Sequence, residues 1–273
     1  MTAGALAALL LGGVAVGVVA GLFGIGGGVL IVPLLYFLYE HPGWGGTAIA
    51  PALHAVIAHA TSLFIIVPTA VRGTVSYHRA GLVAWRAALP IALASALAAA
   101  FGTQVALRLP AALLKVLFGT FLLATALQLL RRAGGEHRHT LRLSPAVTLL
   151  TGMLVGLVSA TLGVGGGLVA IPLLVHFVGL ELRRVAATSL VVAAFAATAG
   201  SFSYMLSGWG AAGLPRGSVG YVHVLAALPI VAGSLLSVPW GVRVNQRLST
   251  RALRVAFAVL LVALGGRLIL TNL

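Results

Sequence analysis

The sequence contains no cysteine and no aspartate, and its only acidic residues are Glu40, Glu136 and Glu181. Without cysteine there are no disulfides, thiolate ligands or catalytic thiols, and the redox compartment stays open. Three scattered glutamates exclude paired-carboxylate catalysis and leave no ligand set for a calcium or magnesium cage. No cofactor is expected. Charge of either sign is scarce, at 7% of residues, where a soluble domain carries roughly 25%. Instead 60% of the 273 residues are hydrophobic, and the mean hydropathy is +1.13. Such a chain is an integral membrane protein with several spans. The net charge of +14 sits in short segments between apolar runs, without interleaved aromatics. It therefore implies topology and anionic lipid, and no nucleic-acid partner. Residues 1–20 lack the basic start of a secretory leader and are read as part of the fold.

What the sequence does have is glycine, concentrated in a stretch that occurs twice. Gly21-Leu22-Phe23-Gly24-Ile25-Gly26-Gly27-Gly28, followed by Val29 to Leu35, returns as Ala160-Thr161-Leu162-Gly163-Val164-Gly165-Gly166-Gly167, followed by Leu168 to Leu174. Glycine inside a helix costs about 1 kcal/mol against alanine, so four in five positions mean that the helix stops and backbone is exposed. In a membrane, irregular backbone is tolerated only where protein buries it or a cavity hydrates it. Broken apolar segments at matching positions of two halves point to a transporter's binding site.

The repeat extends beyond the glycines. Ala60-Thr61-Ser62-Leu63 matches Ala187-Thr188-Ser189-Leu190, and Gly73 with Ser76-Tyr77 matches Gly200 with Ser203-Tyr204. Leu89-Pro90-Ile91 with Ser95 matches Leu228-Pro229-Ile230 with Ser234, and Gly102 matches Gly241. The expected fold is all-α: a polytopic transmembrane bundle of two inverted repeats, residues 1–138 and 139–273. Each repeat has a re-entrant helical hairpin (4–39 and 145–179) and three spans. The second arm of the first hairpin, 29–39, rises only about 16 Å, too short for a hydrocarbon core of about 30 Å. Spans are expected near 51–71, 87–107 and 111–130, then 184–204, 221–242 and 252–271. Loops 72–86 (of which Gly73 to Tyr77 could still line the helix end), 131–145, 180–184 and 243–254 then share one side and hold thirteen of the seventeen basic residues. That side is cytoplasmic. A Gly-rich loop is expected over 205–220, and Trp85 and Trp240 suit an interfacial belt.

At each break the second arm starts directly after the glycines, so the amides of Gly26, Gly27 and Gly28, and of Gly165, Gly166 and Gly167, lie at a helix N-terminus. Amides there lack intrahelical partners and sit at the positive end of the dipole, which suits an anion. Close helix packing through small residues is the alternative. The paired hydroxyls of Thr61, Ser62, Thr188 and Ser189 could donate to the same anion, or bond back to their own helices. His54 and His59 are the ionisable groups well inside a span, and His59 is the candidate for proton coupling. Neither has a counterpart in the second half, where Glu181 and Ala186 stand. His176 and His223 read as structural, and Arg72 and Arg243 as orienting charges at span ends. Glu136-His137-Arg138-His139 reads as an exposed polar loop.

These motifs carry a resemblance. The doubled glycine pattern with its following Pro33 or Pro172, the Ala-Thr-Ser-Leu pair and the Gly-x-x-Ser-Tyr pair resemble the sulfite exporter TauE/SafE family over 4–271. The resemblance implies a prokaryotic inner-membrane carrier for sulfite, sulfonates or related sulfur-containing anions, with the six break glycines as candidate contacts. The second copy departs from the first at Ala160-Thr161. A secondary transporter working by alternating access fits best; an anion channel or an intramembrane enzyme is the alternative. No nucleotide-binding motif is present, so energy comes from an ion gradient, with proton or sodium as coupling ion, or from an outside partner. The oligomeric state is not legible.

Overall fold

The computed structural model describes residues 3–41, 49–131, 144–180, 182–247 and 250–272. The expected boundary between halves, and with it Glu136 to His139, lies outside them. In chain order the helices are α1 (Ala3–Phe23), α2 (Gly28–Glu40), α3 (Pro51–Arg79), α4 (Trp85–Arg108) and α5 (Ala111–Arg131). Then come α6 (Pro145–Leu162), α7 (Gly167–Leu173) with a π-helical extension Leu174–Val178, α8 (Leu182–Ser207), α9 (Val224–Arg247) and α10 (Thr250–Asn272). Six of these are long and apolar enough to cross a membrane: α1, α3, α4, α6, α8 and α9. The protein is a polytopic helical membrane bundle.

The outer faces are apolar, with Leu97, Phe101, Leu236 and Trp240 each at least two-thirds exposed. An apolar surface of this kind belongs in lipid.

Each first arm is long and each second arm short. The 21 residues of α1 rise about 31 Å and the 13 of α2 about 20 Å. The second arm folds back along the first: a Cβ at Gly12 would lie 2.8 Å from the Leu34 side chain, and one at Gly27 2.6 Å from Val16.

Small residues then let backbones touch, because lipid gives helices no hydrophobic reason to associate and close packing must do so. A Cβ at Gly13, Gly17 or Gly21 of α1 would fall 2.3–2.4 Å from the carbonyl oxygens of Ile230, Ser234 and Val238 on α9. The second half repeats this with exchanged partners. A Cβ at Gly152 or Gly156 of α6 would fall 2.6 or 2.0 Å from the carbonyl oxygens of Ile91 and Ser95 of α4. The first arm of each half therefore packs on a helix of the other half. α5 and α10 pair through Gly119 and Gly265. At the centre α3 and α8 run antiparallel, Gly73 meeting Leu190 and Gly200 meeting Leu63.

Three local features differ from the sequence reading. The basic loop expected over 72–86 is mostly helix: α3 continues to Arg79, and residues 80–84 alone connect it to α4. Pro68 does not end α3, since its lost hydrogen bond is tolerated among packed helices. The expected Gly-rich loop contains a two-stranded ladder, β1 (Ser218–Val219) pairing antiparallel with β2 (Val222–His223). The second arm of the second hairpin changes to a π-helix after Leu173, where α2 stays α-helical throughout.

Candidate functional site

The two glycine breaks adopt the same backbone conformation. Gly24, Gly26 and Gly27 have φ of 73°, 74° and 92°, and Gly163, Gly165 and Gly166 have 69°, 72° and 81°. Left-handed backbone of this kind is what glycine supplies without steric cost. The fourth glycine of each set is helical and required for a different reason. A Cβ on Gly28 would lie 2.7 Å from Val164 Cα, and one on Gly167 2.6 Å from Ile25 Cα. The breaks of the two halves thus touch each other, backbone against backbone.

The first bonds of the second arms run from Leu30 N–H to Gly27 O (3.0 Å) and from Ala170 N–H to Gly166 O (2.8 Å). The amides of Gly28 and Val29, and of Gly167 to Val169, precede these bonds and belong to the unpaired first turn of a helix. All of Gly24 to Val29 and Gly163 to Ala170 are buried. Ile66 of α3 fills the space beside both turns: its side chain would lie 2.9 Å from a Cβ at Gly26 and 2.6 Å from one at Gly165.

The duplicated hydroxyls are all engaged, the serines at the breaks and the threonines with backbone elsewhere. Ser62 donates to Gly163 O and Ser189 to Gly24 O, both at 2.7 Å and both from one half to the other. Thr61 Oγ1 accepts from the His223 amide (2.9 Å), and Thr188 Oγ1 from the Ala84 amide (3.2 Å). Tyr77 donates to Gly21 O (2.8 Å) and Tyr204 to Ala160 O (3.0 Å). The tyrosines were legible in sequence only as marks of the repeat; here they hold the ends of the first arms. The departure at Ala160-Thr161 leaves this arrangement intact, because the tyrosine bonds a main-chain carbonyl. Thr161 adds a hydroxyl bond to Gly102 O at 3.0 Å.

His59 is fully buried and joins three elements. Its Nδ1 faces Thr161 O at 3.0 Å, and its Nε2 lies 2.6 Å from the Tyr36 hydroxyl. A carbonyl only accepts, so Nδ1 carries the hydrogen, and in the neutral ring Nε2 accepts from Tyr36. Tyr36 in turn lies beneath Lys115, whose ammonium is 5.2 Å from the ring centroid and pairs with Glu40 at 2.5 Å. His54 donates from Nε2 to Ile49 O (2.9 Å) beside the start of α3, a structural role. Among the described residues no group of three His, Cys, Asp or Glu could hold a metal ion.

Comparison with known proteins agrees with this architecture. The family described as sulfite exporter TauE/SafE matches residues 9–268. A probable membrane transporter protein of Haemophilus influenzae is 28% identical over 253 residues, covering 93% of this chain and 94% of its own. One from Methanocaldococcus jannaschii is 29% identical, covering 94% of this chain and 92% of its own. A third, from Bacillus subtilis, is 24% identical over 94% of both chains. No solved structure matches. With two glycine breaks in a helical membrane bundle and a family match over nearly its whole length, the chain belongs to the sulfite exporter TauE/SafE family and is a membrane transporter, not an enzyme.

Proposed function

We propose that the protein is a secondary transporter that moves sulfite, an organosulfonate or a related sulfur-containing anion across a prokaryotic inner membrane. The halves 1–138 and 139–273 act as inverted repeats that rock against each other around a midplane site between the breaks. One observation carries the reading: two buried glycine turns of identical conformation meet, each followed by unpaired amides of a helix start. Backbone amides at the positive end of a helix bind oxyanions without a buried charge. In this reading Gly26, Gly27, Gly28, Gly165, Gly166 and Gly167 line the substrate. Ser62 and Ser189 fix the turns, Thr61 and Thr188 beside them in sequence are further candidate contacts, and Ile66 withdraws when the site opens. The family description supplies the substrate class.

Uptake by proteoliposomes of sulfite, thiosulfate, sulfate, sulfoacetate and taurine tests the reading. Saturable, gradient-dependent flux of one sulfur oxyanion is expected. Flux that never saturates would indicate a channel, and no flux of any of the five would remove the substrate class.

If coupling is to protons, His59 is the group that carries them, because the described part of the bundle buries no carboxylate. Protonation would turn Nε2 from acceptor to donor toward Tyr36, reversing the bond between α2 and α3. His59→Gln should keep substrate binding and flatten the pH dependence of flux. An unaltered pH profile in that variant removes His59 from coupling.

A further inference from the structure

We propose that Arg72, Arg79 and Arg243 form a second anion site, a vestibule that takes a small oxyanion group before it reaches the first glycine break. The sequence reads two of these arginines as orienting charges at span ends. In the structure they share one cavity of about 370 Å³ with Ser76, Pro239 and Gln246. Its two walls follow from helical spacing. Positions 72, 76 and 79 form one face of α3, and 239, 242, 243 and 246 one face of α9, so each half of the chain contributes a wall.

Among the described residues no carboxylate compensates the charge in this cavity. All three arginines are exposed, and none forms an ion pair among the described residues, where Glu40 is the only carboxylate and is paired with Lys115. The other polar groups facing the cavity are Ser76, whose hydroxyl donates to Arg72 O, and Gln246. A guanidinium remains charged at every working pH and presents a planar fork of donors that matches an oxyanion.

The cavity also lies beside the first break. Val242, in its wall, has its amide 2.9 Å from a Cβ placed on Gly21, and Asn245 donates to Leu22 O at 2.6 Å. Tyr77, next to Ser76, holds Gly21 O. The repeat supplies an internal comparison. The positions equivalent to Arg72, Arg79 and Arg243 in the other half are Ala199, Leu206 and Gln104. Charges needed only to tolerate the membrane interface have no reason to converge on one cavity from two helices. The chemistry fits a free sulfur oxyanion or the phosphate of a lipid headgroup equally; passage onward to the break rests on the function proposed above, while binding in the cavity does not.

The test is sulfite binding to the full-length chain in phosphatidylcholine nanodiscs, by calorimetry at several salt concentrations. Arg72→Gln and Arg243→Gln should each weaken binding about threefold to tenfold and flatten its salt dependence, with Lys at either position restoring the salt dependence but only part of the affinity. Both side chains are exposed, so the fold is expected to survive. Parental affinity and salt dependence in the double Gln variant would overturn the proposal. Adding phosphatidylglycerol identifies the source: unchanged sulfite affinity assigns the cavity to the free ion, and competition that the double variant abolishes assigns it to lipid phosphate. Gly27→Val separates this proposal from the one it rests on. Arginine effects alongside unaltered binding in Gly27→Val would keep the vestibule and remove the break site. The opposite pattern would remove the vestibule alone.

Discussion

Valine at Gly27 or Gly166 is expected to abolish transport. Both positions hold φ near +90°, at 92° and 81°, where a side chain costs about 1–2 kcal/mol and a β-branched one more. A Cβ at Gly27 would also lie 2.6 Å from Val16 Cγ1, and one at Gly166 2.9 Å from Val155 Cγ1. The turn must therefore deform, and the amides that follow it lose their aim. A hydrogen bond to a charged partner is worth about 1.5–3 kcal/mol, so substrate affinity should fall roughly tenfold or more for each amide displaced. Gly27→Ala and Gly166→Ala keep the φ penalty with less steric conflict, and should show the affinity loss with a better folded yield. Gly4, whose Cβ would meet nothing within 4 Å, provides the control; Gly12 is unsuitable because Leu34 packs on it. Folded Gly27→Ala and Gly166→Ala proteins that bind substrate with parental affinity would sink the anion cradle. Affinity that stays parental while folded yield falls in step with flux would reduce the glycines to packing.

The second large effect is expected from the serines. Ser62→Ala leaves Gly163 O without its donor, and Ser189→Ala does the same to Gly24 O. A buried carbonyl left unsatisfied costs about 1–3 kcal/mol, so each variant should lower the thermal midpoint by several degrees. The double variant should depart from the sum of the two single losses, because the turns that the serines hold touch each other. Threonine at either position should recover part of the loss. A pure substrate-donor role predicts the reverse, with affinity falling and stability unaltered. Measuring both in the same preparation decides between them. Neutral behaviour in both assays would show that these bonds do not hold the turns.

Much of this architecture was legible because the repeat is written in residues that leave few alternatives. Gly24, Gly26 and Gly27 mark left-handed backbone, and their matches at Gly163, Gly165 and Gly166 mark it again. The short second arm followed from its length alone. The partners of the hydroxyls were not legible, because Ser62 and Gly163 are distant in sequence and belong to different halves. Periodicity places a serine on a helix face but does not say which backbone will meet it. Ile66 escaped for a related reason: among many apolar residues, nothing distinguishes the one that fills the space between two turns. The end of α3 was placed too early, with helix left open only to Tyr77, because arginines suggest a loop. Their long stems can run along a helix that extends beyond the apolar layer while the guanidinium stays in water. The π-helical turn after Leu173 has no sequence signal, since Pro172 matches Pro33 in an arm that stays regular.

The exchange of arms between halves sets an order of events during synthesis. α1 precedes the rest of this bundle in the chain, yet the backbone it packs against, from Ile230 to Val238, lies about 200 residues later. Until α9 arrives, the glycine face of α1 has only lipid beside it, and lipid chains cannot follow a groove that a neighbouring backbone fills. The second half does not wait in this way, because α4 is already present when α6 is inserted. In chain order, the close packing of α1 is therefore completed only once α9 has been made. A translation arrest before α9 leaves a membrane-inserted intermediate with one completed arm contact out of two. Such an intermediate is a natural substrate for membrane quality control.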